Sequence, residues 1–183
     1  RARDFFDGRR ARRVGVFVDA DVRVIVGAAA TAGLDVIQLH GSEGLDTVRA
    51  LRDEGSWRIW KAVRAESADD VARVLEPVHG WIDGAVVEGR LPGVVGGGGA
   101  VLDVDPAALA AAVPTDVLLI LAGGLTVTNV AGRVERFGPN VVDVSSGVES
   151  APGAKDEELV RSFIREAKGV DVSPLPPRTE IPT

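Results

Sequence analysis

Two polar side chains close one apolar run of this sequence at alternate positions. Gln38 and His40 end the segment Asp35-Val36-Ile37-Gln38-Leu39-His40-Gly41. Alternate residues of a strand point to the same face, so both side chains face one way. If that face lines a pocket, both lie near the substrate and His40 is placed for acid–base chemistry. A purely structural histidine is the alternative.

Two charged residues lie within or directly after other apolar runs. Glu88 follows Ala85-Val86-Val87. At the carboxyl end of a barrel strand it would face the reaction site, where burial would raise its pKa toward use as a general acid. The alternative is a solvated loop residue. Lys61 lies between Trp60 and Ala62, and we expect it to pair with a carboxylate in the barrel interior or to meet an anionic substrate.

Glycine and serine follow the last two apolar runs. The first of these loops is within Leu121-Ala122-Gly123-Gly124-Leu125, and the second is within Asp143-Val144-Ser145-Ser146-Gly147-Val148-Glu149. Such loops expose backbone N–H groups and hydroxyls, and barrel enzymes commonly hold a phosphate there. The sequence therefore predicts a phosphate site, with tight turns and no ligand as the alternative.

Four consecutive glycines, 96–99, form another candidate loop. They allow a close backbone approach to a ligand, although a flexible connector explains them equally. Leu102 and Asp103 follow where the dinucleotide-binding pattern requires a helix, which argues against a nicotinamide cofactor. No histidines and carboxylates stand at ligand spacing and the sequence has no cysteine, so we predict no catalytic metal and no disulfide.

These residues must be positioned by an alternation of short apolar runs and longer amphipathic stretches. Strands are predicted near residues 14–18, 35–41, 58–63, 81–88, 117–122 and 141–144, and helices near 21–33, 43–54, 67–76, 105–112, 128–136 and 156–168. This spacing predicts an α/β protein with a parallel sheet buried on both faces. An open doubly wound sheet and a (β/α)8 barrel both fit, although the barrel needs two more strands than these six.

Length and charge bound the class of protein. The 183 residues suit one domain, predicted over 1–170, and a proline-rich tail over 171–183. Net charge is −6, which argues against a nucleic acid or an anionic membrane as the main partner. The arginine-rich segment 1–13 is expected to be a solvated helix. With no long apolar segment or signal peptide, we expect a cytoplasmic protein.

Six stretches of the sequence share one further property, their likeness to a known family. They are VGVFVD (14–19), LDVIQLHGSE (34–43), IWKAV (59–63), LPGVVGGGG (91–99), LAGGLTVTNV (121–130) and VDVSSGVESAPGAKD (142–156). In this order they resemble phosphoribosylanthranilate isomerase of tryptophan biosynthesis. The combination of QLHG with DVSSGVE and the following Pro-Gly and Lys-Asp pairs is highly specific. The resemblance implies a (β/α)8 TIM barrel of which the first two strands are missing from these residues.

The resemblance also implies a reaction and a site. The family rearranges N-(5-phosphoribosyl)anthranilate to 1-(2-carboxyphenylamino)-1-deoxyribulose 5-phosphate without a cofactor, as a monomer or a homodimer. A general acid protonates the furanose ring oxygen, and a general base then removes the C2′ proton. By position, Glu88 is the acid and Gln38, His40 and Asp143 line the pocket. The phosphate is assigned to Gly123, Gly124, Ser145, Ser146 and Gly147.

Two departures limit this transfer. The family's base is a cysteine of the first barrel strand, and this sequence has none; the family's acid is an aspartate, where Glu88 adds a methylene. We expect isomerase activity only if a segment outside these residues supplies the base. A catalytically impaired sugar-phosphate-binding relative and a barrel isomerase with another substrate are the alternatives. The two end strands, at Val14 and Val144, are expected to pair with another chain or border further chain rather than with each other.

Overall fold

One parallel sheet of six strands organises the molecule. The computed structural model describes residues 11–89 and 101–169. The strands are β1 (Val14–Phe17), β2 (Val36–Leu39), β3 (Arg58–Ala65), β4 (Gly84–Gly89), β5 (Leu118–Ala122) and β6 (Val141–Val142). All neighbours are parallel, and their order in space is their order in the chain. That order is the one of a barrel, because a doubly wound sheet reverses direction part-way.

Helices connect the strands at each step. They are α1 (Val22–Ala32), α2 (Leu45–Glu54), α3 (Ala68–Leu75), α4 (Pro106–Ala112), α5 (Val130–Phe137) and α6 (Glu157–Lys168). Side-chain oxygens of Asp21, Ser67, Asp105 and Asp156 accept backbone N–H groups at the starts of α1, α3, α4 and α6. These caps satisfy donors that the first helical turn leaves free and fix where each helix begins after its strand.

Two separate apolar clusters lie on the two faces of the sheet. The outer cluster joins the sheet to the helices and includes Ile25, Leu51 and Leu121. The inner cluster contains Val36, Trp60, Ala62, Val86, Leu118, Ile120 and Ala122. The alternation of side chains along each strand thus separates a helix-facing surface from the surface that a barrel encloses.

The barrel is open between its first and last strands. Within the described residues β1 pairs only with β2, and β6 only with β5, so the expectation that the two end strands do not close on each other is confirmed. Val14, Val16 and Val18 are 38%, 58% and 64% exposed. Strand pairing places Val14 and Val16 on the inner face, where valine is normally buried.

The remaining features refine the sequence predictions. All six strands and six helices occur in the predicted places, but the fourth strand begins at Gly84 rather than 81. An antiparallel hairpin, β7 (Glu149–Ala151) with β8 (Ala154–Lys155), was not predicted. Segment 1–10, the four-glycine loop and the tail 171–183 lie outside the described residues. Among the described helices none is long and apolar enough to cross a membrane.

Candidate active site

Four polar side chains meet at the carboxyl ends of the strands, on the inner face. Gln38 and His40 belong to β2 and the residue after it, and Glu88 lies near the end of β4. Asp143 directly follows β6. It comes two residues after Val141, whose side chain packs against the inner cluster, and alternate residues share a face. The sequence-predicted catalytic and pocket-lining residues are therefore brought to one end of the sheet.

A chain of hydrogen bonds connects three of these side chains and one more. Gln38 Nε2 lies 3.1 Å from His40 Nδ1, and His40 Nε2 lies 3.1 Å from Glu88 Oε1. Arg64 Nε donates to the same Glu88 oxygen over 2.8 Å. An amide nitrogen can only donate, so Nδ1 of the neutral imidazole accepts and Nε2 carries the proton that faces Glu88. Gln38 thereby fixes the tautomer of His40.

These contacts favour the ionised form of Glu88. The hydrogen bond from His40 lowers its pKa, burial acts in the opposite direction, and Arg64 lowers the pKa further. The net effect is a pKa below the ordinary value of a glutamate. The expectation of a raised pKa for Glu88 is wrong: burial does act to raise it, but the donors His40, directly after β2, and Arg64, on β3, outweigh the loss of water.

The neighbouring carboxyl group behaves in the opposite way. The pKa of Asp143 is raised, first because surrounding protein desolvates the carboxyl and second because Glu88 is negatively charged; His40 and Lys155 act against the rise. The residue is still reached by water at the rim of the open barrel. Two carboxyl groups whose surroundings move their pKa values apart are typical of an acid–base site.

The two glycine- and serine-containing loops lie against each other beside this cluster. Gly123 and Gly124 have φ values of 79° and 61°, in the left-handed region that favours glycine. At Gly147 a Cβ atom would lie 1.8 Å from the carbonyl oxygen of Leu125, so only glycine allows this approach of the loops. Asn129 braces the first loop, with its Nδ2 donating to Gly124 O over 2.9 Å.

Lys155 supports the second loop and was not singled out from the sequence. Its Nζ donates to Ser145 O over 2.9 Å and to Glu149 Oε1 over 2.6 Å, and lies 3.3 Å from Ser145 Oγ. The hairpin of β7 and β8 folds the lysine back over the loop, a contact that local sequence does not reveal. Arg64 was missed as well, although it continues the inner-face alternation of Trp60 and Ala62, a signal that could have found it.

Lys61 lies elsewhere than expected. It does pair with a carboxylate, since its Nζ lies 2.9 Å from Glu43 Oε2. Its strand neighbours Ile59 and Val63 belong to the outer cluster, which places Lys61 on the helix-facing side of the sheet and not in the barrel interior. A lysine flanked by apolar residues is compatible with either face, and only the register of β3 decides. Within residues 11–89 and 101–169, no three His, Asp or Glu side chains are grouped to hold a metal ion.

Fold and site together define a parallel (β/α)-barrel protein with an acid–base cluster at the carboxyl ends of its strands. Residues 2–166 match the family described as N-(5′-phosphoribosyl)anthranilate (PRA) isomerase. The chain belongs to this family.

Curated relatives and solved structures agree with that assignment. The N-(5′-phosphoribosyl)anthranilate isomerase of Rubrobacter xylanophilus is 37% identical over 156 residues, 85% of this chain and 73% of the relative. That of Geobacter sulfurreducens is 40% identical over 157 residues, 85% and 72% of the two chains. The crystal structure of phosphoribosyl anthranilate isomerase from Thermotoga maritima superposes with a TM-score of 0.74 at 30% identity, covering 92% of this chain and 80% of that one.

A further similar structure contains a ligand. It is a phosphoribosyl anthranilate isomerase in complex with reduced 1-(o-carboxyphenylamino)-1-deoxyribulose 5-phosphate, with a TM-score of 0.70 at 28% identity. The alignment covers 92% of this chain and 78% of that one.

Proposed function

We propose that this chain carries the acid and phosphate-binding sides of an N-(5′-phosphoribosyl)anthranilate isomerase site. One observation supports this above all. In a chain of that family, the His40–Glu88 pair and Asp143 lie at one end of the barrel beside the two loops at Gly123 and Ser145. The reaction is an isomerisation, so it needs proton transfers and no net oxidation or reduction.

The first step needs an acid. A proton passes to the furanose ring oxygen, the bond from that oxygen to C1′ breaks, and the amine lone pair forms a Schiff base. Glu88 is the proposed donor because it lies near the end of β4 on the inner face; since its pKa is lowered, it must first take up a proton, and His40 Nε2 lies within hydrogen-bond distance to supply one. His40 and Gln38 line the pocket and orient this carboxyl group. Asp143 is a second candidate donor, favoured by its raised pKa.

The second step needs a base to take the C2′ proton on the opposite side of the sugar. The resulting enol then gives the ketone of the product. The family resemblance assigns this base to a cysteine, and none of the 183 residues is a cysteine. Turnover therefore depends on a base from elsewhere, whereas ligand binding does not.

The phosphate group is proposed to lie on the two loops. Its ligands are the backbone N–H groups and hydroxyls of Gly123, Gly124, Ser145, Ser146 and Gly147. Gly123 and Gly124 have positive φ, and such glycine-containing turns commonly direct backbone N–H groups toward a bound anion, which is the usual chemistry of phosphate loops. Lys155, paired with Glu149, supports this loop through its hydrogen bond to Ser145 O. A phosphorylated sugar joined to anthranilate is the proposed substrate; a homodimer and a monomer are both compatible with it.

Binding and turnover test the proposal separately. Binding of reduced 1-(o-carboxyphenylamino)-1-deoxyribulose 5-phosphate is measured by calorimetry, and conversion of N-(5′-phosphoribosyl)anthranilate by absorbance. Ser146→Asp places a negative charge at the proposed phosphate position and should abolish binding. Ser150→Asp, the same change on the exposed hairpin, should leave binding unchanged.

Each result selects one function. If the protein binds the ligand and turns over substrate, and Glu88→Gln abolishes turnover, the result supports an isomerase with Glu88 as the acid. If only Asp143→Asn abolishes turnover, Asp143 is the acid instead. Binding without turnover supports the impaired relative, and turnover of another aminoaldose phosphate alone supports a different substrate. No binding, or equal binding by Ser146→Asp, contradicts the proposed phosphate site.

A further inference from the structure

A buried ion pair lies behind the candidate active site and takes no part in the chemistry proposed above. Lys61 is 3% exposed and Glu43 is 7% exposed. Both lie on the helix-facing side of the sheet, at the same end as His40. Two buried charges are costly to desolvate, and a pair of apolar residues of similar volume would often be at least as stable. Stability of the fold alone therefore does not account for them.

Glu43 joins the segments that follow β1 and β2 to the middle of β3. Its Oε1 accepts the backbone N–H of Asp19, after β1, over 2.8 Å. Its Oε2 accepts the backbone N–H of Gly41, after β2, over 2.9 Å and Lys61 Nζ, from β3, over 2.9 Å. Burial alone would raise the pKa of Glu43, but the hydrogen bonds from Lys61 and from backbone N–H groups, that of Asp19 among them, outweigh it and the pKa is lowered. The ionised carboxylate thus accepts hydrogen bonds from Asp19, Gly41 and Lys61 together, an arrangement called the Glu43 brace below.

Gly41 is the residue that the Glu43 brace holds most tightly. Its N–H donates to Glu43, and its carbonyl oxygen accepts Lys61 Nζ over 2.7 Å. A Cβ atom at this position would lie 2.5 Å from Asp19 Oδ1, so a larger residue could not be held this way. Asp19 has a φ of 49°, unusual for a residue with a side chain, and its Oδ1 accepts both the N–H and the hydroxyl of Ser42.

We propose that Lys61 and Glu43 are positioning residues that fix the peptide of Gly41 and thereby aim the preceding side chain, His40, at Glu88. The orientation of His40 follows from the geometry alone; its importance for catalysis rests on the proposed function. The backbone of His40 is held on the other side, where its N–H donates to Phe17 O over 2.8 Å. With both neighbouring peptides fixed, the imidazole can keep its contacts to Gln38 and Glu88.

The test removes both charges and observes the imidazole directly. In Lys61→Met/Glu43→Gln the side chains keep their length and one carbonyl oxygen remains to accept. The matched control is Arg52→Met/Asp83→Asn at another ion pair, in which Asp83 is 7% exposed and Arg52 Nη2 lies 2.6 Å from it. Ring-nitrogen NMR signals of 15N-labelled protein at about pH 8.5, where an ordinary imidazole is neutral, report which nitrogen carries the proton. His79, beside Asp116, supplies an internal reference signal.

In the unaltered chain and in the control we expect a single tautomer at His40, with the proton on Nε2. In Lys61→Met/Glu43→Gln we expect loss of that pattern in favour of averaged signals, with His79 unchanged. Ser42→Ala, a milder change that removes the hydroxyl that Asp19 Oδ1 accepts beside Gly41, should shift His40 in the same direction by less. An unchanged His40 spectrum in both variants, or an equal change in the control, overturns the proposal. Because the spectra need no substrate, failure of the isomerase function would be seen separately in the binding and turnover assays.

Discussion

Replacing Arg64 by methionine tests how the ionised form of Glu88 is maintained. Arg64 and Glu88 are register partners on β3 and β4, and Nε donates to Oε1 over 2.8 Å. Methionine keeps most of the length of the side chain and removes its charge and its donors. We expect the pKa of Glu88 to rise, because one of the two groups that lower it is removed.

The structure limits the size of this rise. The Arg64 side chain is 43% exposed and that of Glu88 is 16% exposed, so water screens the pair on one side. Pairs with an exposed member contribute about 0.2–1 kcal/mol. At about 1.4 kcal/mol per tenfold change in an equilibrium constant, proton binding by Glu88 should strengthen by less than about tenfold. Replacing His40 by alanine should raise the pKa more, because the His40 hydrogen bond is the largest contribution.

Titration of the Glu88 carboxyl carbon by 13C NMR measures the effect. Arg161→Met, which breaks an exposed pair with Glu157 on α6, is the control and should leave Glu88 unchanged. A lowered pKa contributes stability that is present above the unfolded value, near 4.5, and is lost as pH falls through the folded value. Acid unfolding should therefore begin at higher pH in Arg64→Met. A fall in the Glu88 pKa, or a larger rise than in His40→Ala, would refute this account of the site.

Three further substitutions separate function from stability. Asp143→Asn should stabilise the fold at neutral pH and weaken activity. The pKa of Asp143 is raised in the folded protein, so its ionisation lowers the free energy of unfolding as pH rises through the folded-state pKa. Thermal melts should show a higher melting temperature for the variant at pH 7 and no difference near pH 3; an equal increase at both pH values would contradict this. Gly124→Ala should destabilise by about 1–2 kcal/mol because of the positive φ, and weaken phosphate binding. Gly132→Ala in α5, where a Cβ meets nothing within 4 Å, should instead stabilise by about 0.4–1 kcal/mol, as urea unfolding would show.

The fold was predictable because each strand and helix carries its own local pattern. The run at 117–122 is apolar throughout and forms β5 (Leu118–Ala122), buried on both faces. The run at 81–88 shows the limit of this reasoning. Trp81 N donates to Val78 O in a turn, so the first residues of the apolar run are not in the strand. Such a bond depends on the turn that precedes the run and leaves no mark in the pattern of hydrophobic residues.

The candidate site was predictable in its residues and less so in its electrostatics. Alternation placed Gln38 and His40 on one face, and the structure agrees. The direction of the Glu88 pKa shift could not be predicted, since the donors that lower it are His40, directly after β2, and Arg64, on β3. Sequence separation of 48 residues between His40 and Glu88 carries no information about a 3.1 Å contact. Only the register of the sheet brings these two groups together.

The open edge of the sheet determines from which side a base can act. Val16 is the register partner of Gln38, and Val18 follows on the same face; both are exposed, whereas Trp60 and Val86 on the same inner face are buried. A barrel buries its inner side chains against those across its axis. With Glu88 as the proposed acid, a base on the opposite side of the sugar has to approach across the gap between β1 and β6. Any group that reaches this position must pack over Val16 and Val18. Burial of these two valines is therefore the structural change expected to accompany turnover.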